Sequence, residues 1–104
     1  MDNELQALLE QLPVHKGSIA TVLEYYESTD AVSLAQKLRS IEAFKGIAAP
    51  MKPVEGGFAP DFQSRYFTED FPYGMRFIVE TASEQGVAIP TIEKVYQWGL
   101  SKTK

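Results

Sequence analysis

Apolar residues recur at intervals of three and four in five separate stretches of this 104-residue chain, and this spacing constrains the fold more than any other feature. The stretches begin at Leu5, Ile19, Ala31, Met75 and Ile92. Each places one apolar stripe along a helix. Strict alternation of apolar and polar residues, which is typical of a half-buried strand, never exceeds three or four residues. The spacing predicts an all-α fold, a bundle of about five helices formed by a single domain over residues 1–104.

Residues that begin and end helices agree with this pattern. Asp30 is expected to cap the third helix, and Asn3 and Ser18 are expected to cap the first and the second. Gly86 follows the fourth stretch, where a left-handed residue ends many helices. Pro90 suits the first turn of the fifth helix, because the amide hydrogen that proline lacks is unpaired there in any case.

Between Gly46 and Arg65 the chain changes character. This window holds three of the six prolines and three of the seven glycines, a density at which no helix persists. Apolar residues within it, such as Met51 and Phe58, indicate that part of the segment packs against something. The sequence therefore predicts one long, ordered Pro/Gly-rich loop, which at this length in a small domain is typical of a functional segment.

Composition narrows the classes of function. Ten basic residues stand against 14 acidic ones, a net charge of −4, which disfavours binding to nucleic acid or to an anionic membrane surface. Cysteine is absent, which excludes disulfides and thiolate chemistry. The chain has neither a signal-peptide pattern nor a run of about 18 apolar residues. We expect a cytoplasmic protein that is too short to hold both a dinucleotide-binding module and a substrate site.

The densest polar cluster is Arg-Tyr-Phe-Thr-Glu-Asp-Phe-Pro-Tyr-Gly, residues 65–74, where the long loop leads into the fourth helix. Pro72 belongs in a first turn, which predicts that the helix starts near Thr68–Asp70. One interpretation makes Thr68 or Asp70 a helix cap and Glu69 a partner of the helix dipole. The other is functional, because Arg65 offers a two-pronged fork for a carboxylate or a phosphate and two adjacent acids exceed what one cap requires.

Other chemical signals are weak. His15 is the only histidine and lies between Pro13 and Gly17, which is typical of a surface loop. One histidine without cysteine makes a transition-metal site improbable. Neither GxGxxG nor GxxxxGK occurs, so the pair Gly56-Gly57 is not a phosphate-binding loop.

The segment 65–74 resembles a segment near the C-terminus of the octopine/nopaline (opine) dehydrogenase family. Ala49-Pro50 before it and Gly86-Val87-Ala88-Ile89-Pro90 after it are similar to the flanking parts of that family. The resemblance covers the second half of the chain, and before Gly46 it rests on helix layout.

This resemblance implies an enzyme in which a dinucleotide-binding domain precedes a helical domain. Such enzymes use NAD or NADP to reduce the imine formed from an amino acid and a 2-oxo acid. Asp70 would pair with a catalytic histidine, and Arg65 would bind an anionic group of the substrate. His15 does not match the family histidine, because it lies in a different local context and closer to the aspartate.

As a whole, the chain is expected to be the C-terminal part of the helical substrate domain. Alone it would bind no cofactor and be catalytically inert. Its partners would be the nucleotide-binding domain of the same protein and, in a homodimer, a second copy of the chain. The alternative is a free-standing helical module for interaction or dimerisation.

Overall fold

A computed structural model describes residues 1–103. Helical segments dominate it: α1 Asp2–Glu10, α2 Val22–Tyr25, α3 Ala31–Ser40, α4 Arg65–Thr68, α5 Arg76–Gln85 and α6 Pro90–Lys102. A 3₁₀ turn covers Glu42–Phe44, and a π-helical turn covers Asp70–Met75 between α4 and α5. Helix α4, the π turn and α5 follow one another almost without interruption. Because prolines and π turns kink helices, we call residues 65–85 the bent helix and the π turn its bend. The predicted bundle of about five helices is confirmed.

The long loop contains two strands that the sequence did not reveal. Strand β1, Met51–Val54, pairs antiparallel with β2, Gly57–Pro60. Gly56 has φ +84°, the left-handed conformation that the second central residue of a type II turn requires. The protein is helical as predicted, and the long loop adds one short hairpin to it. Pro53 lies inside β1 and Pro60 ends β2, and these prolines removed the alternating pattern that indicates strands.

Three of the expected helix signals are confirmed. The Oδ1 atom of Asp30 accepts a hydrogen bond of 2.7 Å from the Ser33 amide, and the Ser33 hydroxyl accepts one of 3.1 Å from the Asp30 amide. The hydrogen bonds from Ser33 hold the pKa of Asp30 below its usual value. Gly86 has φ +67° after α5, and Pro90 is the first residue of α6.

Two expected caps are wrong. Helix α1 starts at Asp2, so Asn3 lies inside it, and α2 starts only at Val22, beyond the reach of Ser18. Thr21 caps α2 instead, because its hydroxyl accepts a hydrogen bond of 3.1 Å from the Glu24 amide. Ser18 is a sound cap residue by type, but the turns of residues 11–20 continue past it.

The fully buried apolar residues come from the two ends of the chain. They are Leu8 of α1, Ala82 of α5, Ile89, and Ile92 of α6. Partly buried residues surround them: Leu5, Leu12, Met75, Ile78, Val79 and Val87. The core is small for a chain of this length, and it joins the N-terminal helix to the last two helices.

The chain exposes more surface than an autonomous domain of its size. Its accessible surface is 7975 Å², whereas a compact protein of this mass exposes about 5,800 Å². Its radius of gyration is 16.2 Å, against about 13 Å for a compact domain of 100 residues. Much surface that a complete domain buries is therefore open. Within residues 1–103, no helix combines the length and the apolarity needed to cross a membrane.

Glu4 fastens α1 to the start of α6. Its two carboxylate oxygens accept hydrogen bonds from the amides of Thr91 and Ile92, at 3.0 and 2.9 Å. No side chain within α6 caps that helix, so Glu4 supplies the missing acceptor from 87 residues away. Partial desolvation raises the pKa of Glu4, but the hydrogen bonds from Ile92 and Thr91 outweigh it and leave the pKa below its usual value.

Glu4→Gln should make the stability of the fold less sensitive to a fall in pH. Since the folded state lowers the pKa of Glu4, the carboxylate stabilises the fold above its ordinary pKa, and that contribution disappears as pH falls through the folded value. Circular-dichroism melts between about pH 6 and 3 should show a shallower decline of Tm for Glu4→Gln than for the wild type. Glu10→Gln, at the exposed end of the same helix, is the control. Equal slopes for Glu4→Gln and the wild type would show that Glu4 does not couple pH to folding.

Candidate active site

The segment singled out in the sequence forms the bend of the helix over residues 65–85. Arg65 is the first residue of α4, and Asp70 is the first residue of the π turn. The helix therefore starts at Arg65, not near Thr68–Asp70 as expected. Pro72 lies inside the helical run rather than in its first turn. A proline there cannot donate a hydrogen bond and its ring would crowd the preceding turn, and the wider π turn relieves this conflict.

Asp70 does not cap a helix. Ser64 occupies the position before α4, and no side chain caps that helix. Among residues 1–103, no group donates a hydrogen bond to the Asp70 carboxylate, and the side chain is exposed. The interpretation of Asp70 or Thr68 as a cap is therefore wrong. The Asp70 carboxylate at the bend is therefore open to contact with groups from outside residues 1–103.

Arg65 stands one helical turn before Glu69 and pairs with it. The Arg65 Nε atom donates a hydrogen bond of 3.0 Å to Glu69 Oε1, and the Arg65 side chain is 85% exposed. Glu69 therefore has a side-chain partner, Arg65, one helical turn before it. Exposed pairs of this kind are weak, and the terminal nitrogens of the guanidinium donate no hydrogen bond to the described residues. They remain available for a carboxylate or a phosphate.

An aromatic cluster holds the bend against α6. Phe67 and Phe71 stack with ring centroids 5.4 Å apart, and Trp98 meets both rings at 5.9 and 6.3 Å. Phe62 packs edge-on against Phe67 at 4.8 Å. Such pairs stabilise beyond the area they bury. The cluster fixes the helix on both sides of Asp70, because Phe67 and Phe71 flank it in the chain.

Gly99 makes this packing possible. It is buried in α6, and a Cβ atom at this position would overlap the Cδ1 and Cε1 atoms of Phe71. The contact between Gly99 and Phe71 could not be predicted from the sequence, because 28 residues separate them in the chain and a helical glycine has no local signature.

His15 lies apart from this site. It is exposed in the turns between α1 and α2, where it lines a shallow groove together with Gln6, Leu9 and Glu24. Neither Arg65 nor Asp70 lines that groove. The structure therefore gives no support to a pairing of His15 with Asp70, in agreement with the sequence interpretation.

The fold of residues 1–103 is not that of a dinucleotide-binding domain. Such a domain needs parallel strands joined by a helix, with a glycine-rich turn between strand and helix. The one sheet in residues 1–103 is an antiparallel hairpin of two strands, and Gly56 and Gly57 serve its turn.

Comparison with known proteins decides the family. Residues 1–103 match the family model for the α-helical domain of NAD/NADP octopine/nopaline dehydrogenases. The chain belongs to this family. The match includes the residues before Gly46, so the relationship extends beyond the second half on which the sequence resemblance rested.

Individual relatives agree. Octopine dehydrogenase of Pecten maximus is 42% identical over 82 residues, which are 77% of this chain and 21% of that protein. Tauropine dehydrogenase of Arabella iricolor is 37% identical over 71 residues, which are 67% of this chain and 18% of that protein. A solved octopine dehydrogenase with NADH and pyruvate superposes with a TM-score of 0.83 at 31% identity, over 98% of this chain and 26% of that one. The chain thus spans about a fifth of the curated relatives' length.

Proposed function

We propose that this chain is the C-terminal part of the helical substrate domain of an NAD(P)-dependent opine-type dehydrogenase. The parent enzyme would reduce the imine formed from an amino acid and a 2-oxo acid. The observation that carries the proposal is the exposed Asp70 carboxylate on the π turn, in a chain that belongs to the family over residues 1–103. Solved relatives with NADH and pyruvate, or with NADH and L-arginine, support this substrate class.

Asp70 would orient a histidine supplied by another part of the parent and stabilise its protonated form. A carboxylate does this well, because its negative charge favours the imidazolium and its oxygen fixes the ring by a hydrogen bond. The Asp70 carboxylate accepts no hydrogen bond within the described chain and is exposed, so a histidine can reach it. The aromatic cluster on either side limits how far the carboxylate can move.

Arg65 would hold an anionic group of the substrate, which we take to be a carboxylate. Its Nε atom is engaged by Glu69, while the terminal nitrogens face solvent. A guanidinium held in this way can present two parallel donors to a carboxylate. Hydride chemistry belongs to the cofactor, which the nucleotide-binding domain of the parent would hold.

The large exposed surface of the chain supports the proposal that the chain is part of a larger protein. The exposed area exceeds that of a compact domain by about 2,000 Å², as much as a large interface needs. Fifteen large apolar residues are exposed, including Tyr66, Tyr73 and Phe77 along the bent helix around Asp70. The remaining domains of the parent would cover this surface and complete the site.

The purified 104-residue chain should therefore not oxidise NADH or NADPH. The assay follows absorbance loss with pyruvate and a panel of amino acids including L-arginine, and the full-length parent serves as the positive control. The chain supplies neither the histidine of the dyad nor a nucleotide-binding fold. Turnover by the isolated chain would overturn the proposal.

The exposed apolar surface would also suit a free-standing interaction module. A blot of the source cells with an antibody against this chain separates the two functions. A band several times heavier than the chain supports the dehydrogenase, and a band at the size of the chain supports the module.

A further inference from the structure

One face of the hairpin is apolar, uncharged and uncovered. In an antiparallel pair, directly opposed residues share a face, and successive residues alternate between faces. The pairs Met51–Pro60 and Pro53–Phe58 therefore place four apolar side chains together. Phe58 is 72% and Met51 is 47% exposed, and both prolines are exposed as well. We call these four residues the hairpin face.

The hairpin is suited to contact a partner through this face and not to pair with a further strand along its edges. The Asp61 amide donates to the Pro50 carbonyl at 2.9 Å, so the alternation of an antiparallel ladder makes Met51–Pro60 and Pro53–Phe58 the pairs whose backbone groups point outward. Proline has no amide hydrogen, so each strand keeps only one outward donor, at Met51 and at Phe58. Such edges resist pairing with a further strand.

An isolated hairpin of two strands is marginally stable in water and gains stability when one face is packed. Nothing in residues 1–103 covers the hairpin face. Four side chains fall far short of the about 800 Å² per partner that a stable complex between separate proteins buries. A surface this small contributes most when its partner belongs to the same polypeptide, because contact then costs no association entropy.

We propose that the hairpin face docks on an apolar, uncharged surface of the parent polypeptide outside these 104 residues. This inference rests on the proposed function, which makes the chain part of a larger enzyme. The solved relatives are about four times as long as this chain, which leaves most of such a protein to provide the partner surface. The hairpin leads directly into the bent helix that carries Arg65 and Asp70, so docking would fix that helix relative to the rest of the enzyme.

The test uses thiol labelling of the full-length protein. Phe58→Cys places a thiol on the hairpin face, and Val54→Cys places one on the opposite face of the same hairpin, where the native residue is 45% exposed. Alkylation by iodoacetamide is followed by mass spectrometry of the hairpin peptide, and each native rate is divided by the rate in guanidinium chloride. We expect the thiol of Phe58→Cys to react at least tenfold more slowly than that of Val54→Cys. Equal rates would overturn the proposal.

Two further measurements distinguish docking within one polypeptide from dimerisation, and failure of the docking proposal from failure of the proposed function. Protection of the Phe58→Cys thiol that disappears on dilution, together with a change of oligomeric state in sedimentation, would assign the face to a second copy and overturn the intramolecular partner. The activity of the wild-type parent is measured separately. Slow labelling in a protein without dehydrogenase activity would keep the docking surface and reject the proposed function, whereas equal labelling in an active dehydrogenase would do the reverse.

Discussion

Gly99→Ala is expected to destabilise the fold by about 1–3 kcal/mol, the usual cost of forcing extra atoms into a packed site. In an exposed helix the same change would stabilise by about 1 kcal/mol, because alanine has the higher helix propensity. Here the new methyl group would overlap the Phe71 ring, which is stacked on Phe67. The ring must leave its place, and the bend at Asp70 loses its contact with α6. Urea unfolding followed by the fluorescence of Trp98, the only tryptophan, measures the change.

Gly74→Ala is the matched control for this prediction. Gly74 lies in the π turn, and a Cβ atom there would meet no atom within 4 Å. Its replacement should be neutral or stabilising. Combining Gly99→Ala with Phe71→Leu should recover part of the lost stability, since the smaller side chain leaves room for the methyl group. A Gly99→Ala protein as stable as the wild type would show that the packing between Gly99 and Phe71 is not tight.

Features set by neighbouring residues could be predicted from the sequence. The pairing of Asp30 with Ser33, the left-handed Gly86 and the first-turn Pro90 depend on residues within a few positions, and all three are confirmed. The hairpin was missed because Pro53 counts against a strand unless the register is known, and the register places it where no amide donor is needed.

In the candidate site too, features set by neighbouring residues could be predicted and features set by distant contacts could not. Residue types singled out the segment that holds Arg65 and Asp70, and the family resemblance implied their roles, but Pro72 led to a predicted helix start that is several residues late. The placement of the π turn against α6 depends on packing between Phe71 and Gly99, which no local pattern reports. The histidine that would complete the dyad lies outside the chain in our proposal, so this sequence cannot show it.

Asp70→Asn in the full-length parent should lower kcat by about 10²–10⁴-fold, the range that general acid–base catalysis contributes. The amide is nearly isosteric but uncharged, so it stops favouring the protonated histidine. The pH–rate profile should shift to lower pH, because the histidine loses the carboxylate that raises its pKa. Stability should change little, since Asp70 accepts no hydrogen bond within residues 1–103 and the asparagine oxygen can still accept one from the histidine. Stopped-flow and steady-state NADH oxidation, with thermal melts on the same samples, measure both quantities.

Asp61→Ala separates catalysis from structure. Asp61 precedes the bent helix in the chain, and its carboxylate accepts a hydrogen bond of 3.0 Å from the Gln63 amide. Alanine cannot accept this bond, so the variant should lower stability and leave kcat unchanged. Arg65→Ala should instead raise the KM for the 2-oxo acid. A rise in the KM for the nicotinamide cofactor would show instead that the guanidinium binds a phosphate group of the cofactor.

If Asp70→Asn lowers Tm while turnover per folded molecule stays the same, Asp70 has a structural role. Loss of turnover with unchanged Tm and a shifted pH profile is the result that only a carboxylate acting on a titrating partner can give.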